Sequence, residues 1–312
     1  MQSLNEVDVI FACGENDFLP AVDVWIVIDV LRATTVITRW FELGGTELYP
    51  VKNPEEAKSL TAKLKERGST PLLMGEVNGI PPEGFDLGNS PVELNYEIVR
   101  EHYCAVMSTT NGTVALLEAA SSGSPVIAAS LRNAPAVIEH ALKIGSRIGI
   151  LCSGRKKKPC WEDILCAGAI VDGLNLISKS EVLMTDSAKI ALQIWFTRGE
   201  NLLDCVKKSG HANFLEHIGY AEDIKFACDY DVSTVIPILT TNDSGDIILQ
   251  SVAGSLRHNT PIKTQELKPI QAQNINAPEI LNKPVKNADP FEELLNYTNS
   301  TPLHIFKKSK EK

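Results

Sequence analysis

Val24-Trp25-Ile26-Val27-Ile28-Asp29-Val30-Leu31-Arg32-Ala33-Thr34-Thr35 opens with five consecutive apolar residues, mostly β-branched, and then turns polar. An apolar run without alternation reads as a strand buried on both faces, the kind found in α/β sheets covered by helices. The stretch Thr34 to Leu43 reads as a helix and stops at Gly44-Gly45. Working outward, the same alternation repeats. Thr46 to Val51 is a second strand, Pro54-Glu55-Glu56 opens a charged helix ending near Gly68, and Pro71 to Met74 is a third strand. Cys104 to Met107, Val126 to Ala129 and Ile148 to Leu151 are further strands, each followed by a helix start. The expected fold is therefore α/β, a three-layer α/β/α arrangement around a mainly parallel or mixed sheet.

Several helix starts carry a chemical signature. Ser90-Pro91-Val92-Glu93 fits a capping box with proline at the first helical position. Asn133-Ala134-Pro135 offers an asparagine cap. The region from about 160 to 230 reads as mostly helical. Beyond Thr241 the periodicity fades into Asn, Thr, Gln, Lys and Pro. This divides the chain into a domain over 1–240 and an extension over 241–312 that is flexible or loosely packed.

The 30 basic and 39 acidic residues give a net charge of −9. That balance argues against a general binder of nucleic acid or anionic membrane, whose phosphates it would repel, but allows a local basic pocket. No apolar run is long enough to span a bilayer, and the first residues lack the basic and apolar segments of a secretory signal. Seven dispersed cysteines with no Cys-x-x-Cys pair suit buried thiols in a reducing cytoplasm.

The polar residues gather at strand ends: Asp29, Gly75-Glu76, Thr109-Thr110-Asn111-Gly112-Thr113, Asn133 and Ser153-Gly154. In open parallel sheets ligands sit beyond the carboxyl ends of strands, so parallel neighbours would bring these groups to one crevice. In the first segment, Arg32 can grip phosphate bidentately while Thr34, Thr35 and helix N–H groups meet the remaining oxygens. The plainer alternative is an aspartate cap with a surface arginine. Gly84-Phe85-Asp86-Leu87-Gly88-Asn89-Ser90-Pro91 brackets Asp86 with glycines, so that a tight turn can aim its carboxylate inward, with Asn89 free for an anion and Ser90 as a cap. Thr110, Asn111 and Gly112 form an anion nest or a simple cap. Asp29, Glu76, Asp86 and Asp163 supply the oxygen ligands Mg²⁺ prefers, although Asp163 equally suits the first turn of a helix. Lys156-Lys157-Lys158 is either a lid or, the preferred reading, a solvated run.

Familiar phosphatase signatures fail. Position 31 is Leu where Asp-x-Asp would need an acid, and Cys152 is followed at the arginine position of Cys-x5-Arg by Lys158. The histidines show no ligand spacing, and Gly-x-Gly-x-x-Gly is missing after the Val24–Ile28 run.

Taken together and in order, Asp29 to Thr35, Gly75-Glu76, Gly84 to Pro91, Thr109 to Thr113, Asn133-Ala134 and Glu162-Asp163 with Cys166-Ala167-Gly168 resemble the 2-phosphosulfolactate phosphatase (ComB) family, over about Val24 to Leu239. The resemblance implies a Mg²⁺-dependent phosphatase that converts 2-phospho-3-sulfolactate to 3-sulfolactate and phosphate, a step of coenzyme M biosynthesis. It implies that Asp29, Arg32, Glu76, Asp86, Asn89, Thr110 and Asn111 belong to the site; on the reading of the residues, catalysis falls to Asp29, Arg32 and Asp86. Substrate contacts would come from Thr34, Thr35, Asn89, Ser90, Thr110, Asn111, Gly112 and Asn133, and metal ligation from Asp29, Glu76 and Asp163. Val77 and Val114 stand where arginines are common in relatives, which bears on sulfonate recognition. The expected partner is a small phosphorylated anion, and a homodimer is compatible with the sequence. The rival reading is a phospho-ligand binding module or sensor without catalysis.

Overall fold

The computed structural model of the chain describes residues 4–14, 18–178 and 181–253. Its strands are β1 (Glu6–Ile10), β2 (Val24–Ile28), β3 (Glu47–Val51), β4 (Pro71–Gly75), β5 (Cys104–Ser108), β6 (Val126–Ala129), β7 (Arg147–Cys152), β8 (Leu183–Met184), β9 (Val235–Thr241) and β10 (Ile247–Ala253). They form one 10-stranded mixed sheet in the order β4-β5-β3-β10-β9-β6-β2-β7-β1-β8. The helices are α1 (Ala33–Glu42), α2 (Pro54–Glu66), α3 (Tyr96–Glu101), α4 (Gly112–Ser121), α5 (Ala134–Ile144), α6 (Trp161–Ile177), α7 (Asp186–Arg198), α8 (Leu202–Val206), α9 (Gly210–His217) and α10 (Ala221–Ala227). Among the described residues no helix is long and apolar enough to cross a membrane.

Side-chain alternation along β2 explains the layering. Val24, Ile26 and Ile28 join a core with α5 and α6, while Trp25 and Val27 point to the opposite core with α1 and α4. All five are buried, and full burial of each aliphatic side chain contributes about 1.5–3 kcal/mol. The expected three-layer α/β/α fold is the observed one.

The sheet is not a run of parallel neighbours. β4, β5 and β3 are mutually parallel, as are β6, β2, β7, β1 and β8. The antiparallel pairs β6–β9, β9–β10 and β10–β3 join these sets, which gives the two sets opposite sense. The sheet closes around α1 and α4, because Trp25 and Val27 of β2, Leu72 and Met74 of β4, and Ala105 and Met107 of β5 share one core with them. Twist of about 20–25° per strand pair accumulates over these steps and permits such wrapping. The helix N-termini then meet. A Cβ at Gly112, the first residue of α4, would lie 2.3 Å from Ala33 Cβ and 2.6 Å from Asp29 Oδ2, so only glycine allows this approach.

Three sequence expectations change. The sheet runs past the boundary drawn at residue 240, which cuts the β9–β10 hairpin, and β10 lies in the middle of the sheet. The remainder of the expected extension, from 254 onward, lies outside the described residues. Ser90 caps no helix: residues 91–93 form turns, and the next helix, α3, is capped by Asn95, whose side chain accepts the Ile98 N–H at 2.9 Å. Asn133 stands at the N-cap of α5 but makes no side-chain capping bond.

Candidate active site

One cleft is lined by Asp29, Leu31, Arg32, Glu76, Asn78, Gly79, Asn89, Thr110, Asn111, Arg155, Lys156, His211 and Phe214. Its floor is set by the segment after β2. Thr34 Oγ1 donates to the Asp29 carbonyl at 2.8 Å and accepts the Asp29 N–H at 3.0 Å, closing the turn that presents the Asp29 side chain. Thr35 Oγ1 donates to Val30 O at 2.7 Å. Both hydroxyls are therefore consumed by backbone. Neither Thr34 nor Thr35, expected as a phosphate contact, lines the cleft, because at the first turn of a helix a hydroxyl satisfies its own chain most readily.

Asp163 works from behind the same turn. Its Oδ1 accepts the Val30 N–H at 2.9 Å, and its Oδ2 accepts Gly154 N–H at 3.1 Å and Ser153 Oγ–H at 3.3 Å. It ties the ends of β2 and β7 together. Asp163, expected as a metal ligand, does not line the cleft, and both its oxygens are engaged in this tie. Burial, and then the Asp29 and Glu162 carboxylates, push its carboxyl well above the usual range.

Asp29 itself is buried; it accepts a long bond, 3.4 Å, from the Ala33 N–H and is also hydrogen-bonded by the Ser153 side chain. Burial raises its carboxyl to about 6; the His211 ring counteracts this and the Glu76 carboxylate adds to it. Glu76 arrives from the end of β4. Gly75 makes that possible: its φ is 147°, and a Cβ there would lie 1.9 Å from Ser108 O. Glu76 Oε1 accepts the Thr110 N–H at 2.7 Å, and Oε2 accepts the Gly79 N–H at 2.6 Å and Thr110 Oγ–H at 3.2 Å. The carboxylate thus pins two loops at the mouth.

Arg32 lines the cleft but is largely committed. Nη1 donates to Asp223 Oδ2 and Nη2 to Gly79 O, each at 2.8 Å, and the guanidinium lies 4.2 Å from the Tyr220 ring centroid. Ser90, expected at the substrate, instead donates to Asp223 Oδ1 at 2.6 Å. Asn89 is buried, and its Oδ1 has no hydrogen-bond partner. A buried amide oxygen left open at a cleft wall suits a cation or a donor group. Asn111 lines the cleft and makes no capping bond. Gly112 sits against Asp29 as described above.

Two expected residues lie elsewhere. Asp86 is exposed, its Oδ2 accepts the Leu73 N–H at 2.8 Å, and its own N–H returns to Leu73 O at 2.8 Å. The carboxylate continues the pairing of β4, an edge strand, and does not reach the cleft. Asn133 is fully buried, with Oδ1 accepting Ser130 N–H and Oγ–H and Nδ2 donating to Ala128 O and Val235 O. It fastens β6 to β9.

Sequence reading missed the cationic side. Arg155 and Lys156 line the cleft, with the Arg155 guanidinium 4.4 Å from the Phe214 ring centroid. Arg155 and Lys158 exchange backbone bonds of 2.9 and 3.0 Å around Lys156 and Lys157, whose φ values are 53° and 59°. Tight turns with two left-handed positions favour Asn-Gly, so lysines there are strained, a condition that clusters at functional sites. The run preferred as solvated therefore contributes one lysine to the cleft. His211, near the start of α9, was also missed; its Nδ1 donates to Glu162 Oε1 at 2.9 Å, and Glu162 is 1% exposed with Oε2 unpartnered. The signal was Glu162 itself, a second carboxylate beside Asp163 at the start of the mostly apolar α6. Cys160 lies beside this pair, the three residues offering atoms within 4.8 Å of one another. Burial, followed by the Asp163 and Glu162 carboxylates, pushes the Cys160 thiol far up, and all seven cysteines are free thiols.

For Mg²⁺, the hard oxygen donors Asp29 and Asn89 fit: the first is a carboxylate with little hydrogen bonding, the second an orphaned buried carbonyl. Glu76 is held by three donors and shapes the site around them.

Comparison with known proteins follows the same residues. The family model "2-phosphosulpholactate phosphatase" matches residues 15–242. A Pseudothermotoga lettingae protein named "Probable 2-phosphosulfolactate phosphatase" is 38% identical over 216 residues, covering 69% of this chain and 88% of its own length. Proteins of that same name from Deinococcus radiodurans and Caldanaerobacter subterraneus subsp. tengcongensis are 37% and 39% identical, covering 71% and 69% of this chain and 89% and 86% of theirs. The strand-to-helix turn at Asp29, the Glu76 clasp and the Thr110-Asn111-Gly112 nest all lie inside the matched span, and the chain belongs to the 2-phosphosulfolactate phosphatase family, a family of phosphoric monoester hydrolases.

Proposed function

We propose that this cleft hydrolyses 2-phospho-3-sulfolactate to 3-sulfolactate and phosphate with Mg²⁺ as cofactor. The observation that carries the reading is the meeting of unlike groups in one cleft: Asp29 and the open Asn89 oxygen together with Arg32, Arg155 and Lys156. A site for phosphoryl transfer needs that pairing, because its transition state spreads negative charge over the phosphoryl oxygens and depends on positioned cations.

Mg²⁺, when bound, neutralises and polarises the phosphoryl oxygens. Asp29 and Asn89 would hold it. The protein's own groups do the rest. Arg32, fixed by Asp223, Gly79 O and Tyr220, offers its remaining N–H donors without conformational cost. Thr110 and Asn111 bring the N-terminus of α4, with its partial positive charge, to the same anion. The carboxylate and sulfonate of the substrate require further cations, and Arg155 and Lys156 supply them from the opposite loop. Val77 and Val114 lie outside the cleft lining.

The test is phosphate release by the purified chain from 2-phospho-3-sulfolactate, with Mg²⁺ and with EDTA. Metal-dependent multiple turnover is expected. Ligand binding without turnover would sink the catalytic reading in favour of a binding module, and turnover unaffected by EDTA would sink the role of the metal.

A further inference from the structure

We propose that His211, oriented by Glu162, is the general acid that protonates the departing oxygen of the substrate; this rests on the phosphatase reading above. An alkyl phosphate releases a poor leaving group, an alkoxide, so cleavage is greatly assisted by a proton delivered to the bridging oxygen. The residues assigned so far cannot deliver it. Asp29 sits with the cation, both Glu76 oxygens accept hydrogen bonds from loop donors, Lys156 is assigned to the carboxylate and sulfonate rather than the bridging oxygen, and arginine guanidinium groups do not give up protons. Histidine is the cleft side chain whose ring exchanges protons readily near neutral pH.

The geometry is that of an oriented acid. Ser209 caps α9 through the Ala212 N–H at 3.0 Å and so fixes the helix turn that carries His211. With Nδ1–H donating to Glu162 at 2.9 Å, Nε2 is the nitrogen left for a ligand, and the acid is the doubly protonated ring, which gives up its Nε2 proton and is left as neutral imidazole. Glu162 is almost wholly buried and makes no bond through Oε2, so this carboxylate is kept in the buried first turn of α6 with His211 as its hydrogen-bond partner. A buried carboxylate, an imidazole and a reacting group in sequence repeat the logic by which catalytic histidines are held. His211 and Asp29 line the same cleft, which puts the ring within the site that holds the reacting group.

The step balances. The bond from phosphorus to the ester oxygen breaks as one from phosphorus to water oxygen forms. The Nε2 proton passes to the departing oxygen, giving the alcohol. One proton of the attacking water stays on phosphate and the other returns to the imidazole, which leaves the enzyme unchanged.

The experiment compares leaving groups. With Mg²⁺, His211→Asn in the full chain should lower kcat on 2-phospho-3-sulfolactate by about 10²–10⁴-fold, and on p-nitrophenyl phosphate, whose phenoxide leaves without a proton, by no more than about threefold. Glu162→Gln should shift the same ratio in the same direction with KM unchanged, and it stands in if His211→Asn fails to fold. On the alkyl ester alone, His211→Gly should regain turnover as imidazole is added. Equal losses on both esters, no loss on either, or no rescue by imidazole would overturn the proposal. Cys160→Ser should behave as wild type. If it instead matches the His211 loss, and the wild-type chain carries a stoichiometric transition metal, then Cys160, Glu162 and His211 are a metal site and the proposal fails. A wild-type chain inactive on both esters defeats the phosphatase reading itself, a result distinct from any of these.

Discussion

Arg32 and Asp223, 191 residues apart in the chain, form a buried ion pair of 2.8 Å, and Ser90 Oγ donates to the second oxygen of the same carboxylate at 2.6 Å. The contact joins the segment after β2, the loop before α3 and the start of α10. Removing one member leaves the other charge buried and unpaired, which typically costs about 3–5 kcal/mol. Asp223→Ala should lose that much stability in urea unfolding and most of the Mg²⁺-dependent phosphate release. A variant within about 1 kcal/mol of wild type would show that the pair does not organise the site.

Asp29 gives a prediction with a sign. Its folded-state carboxyl is raised to about 6, against about 3.9 for an unperturbed aspartate. Between those values the folded protein binds more protons than the unfolded chain, so stability falls as pH rises through this window. Asp29→Asn removes that cost. The metal-free variant should melt above wild type at pH 7.5, and the difference should close as pH falls toward about 4. Saturating Mg²⁺ should raise the melting temperature of wild type and not of the variant. Calorimetry at three pH values checks both, and a gap independent of pH would refute the assignment.

Asp86 and Asn133 separate scaffolding from chemistry. Asp86→Asn should keep kcat/KM within about threefold of wild type, since its carboxylate faces β4 and not the cleft. Asn133→Ala should cost about 2–4 kcal/mol by orphaning several buried groups, while activity per folded molecule stays unchanged. A hundredfold loss of kcat in folded Asp86→Asn would contradict the geometry.

Arg155 tests the second anionic group. Arg155→Ala should raise KM for 2-phospho-3-sulfolactate about tenfold or more, and raise KM far less for a phosphorylated hydroxy acid lacking the sulfonate, as loss of one charged contact implies. Equal effects on the two substrates would assign Arg155 to the phosphate instead.

The layered fold was legible because β2, β5 and β6 are apolar on both faces, a pattern that encodes burial directly. The opposite sense of the two strand sets was not, since pairing depends on β10, whose Ile247, Ile248 and Leu249 sit in a polar neighbourhood. At the site, residue type was read more reliably than residue role. Asp29, Arg32, Glu76, Asn89, Thr110 and Asn111 do line one cleft, yet Thr34, Thr35, Ser90 and Asn133 spend their polar groups on backbone or on Asp223. A hydroxyl or amide at a helix start serves either purpose, and only coordinates show which acceptor is nearer. His211 left no periodic trace because its partner, Glu162, is 49 residues away.

The placement of β10 also sets an order of events during synthesis. Strands from the first half of the chain stay as two separate ribbons, each with an open edge, until residues 247–253 emerge to bridge them. Unpaired edges of that kind invite intermolecular pairing. A nascent chain stalled at 242, where the family match ends, would hold every cleft residue and still lack the strand that joins the two halves of the sheet.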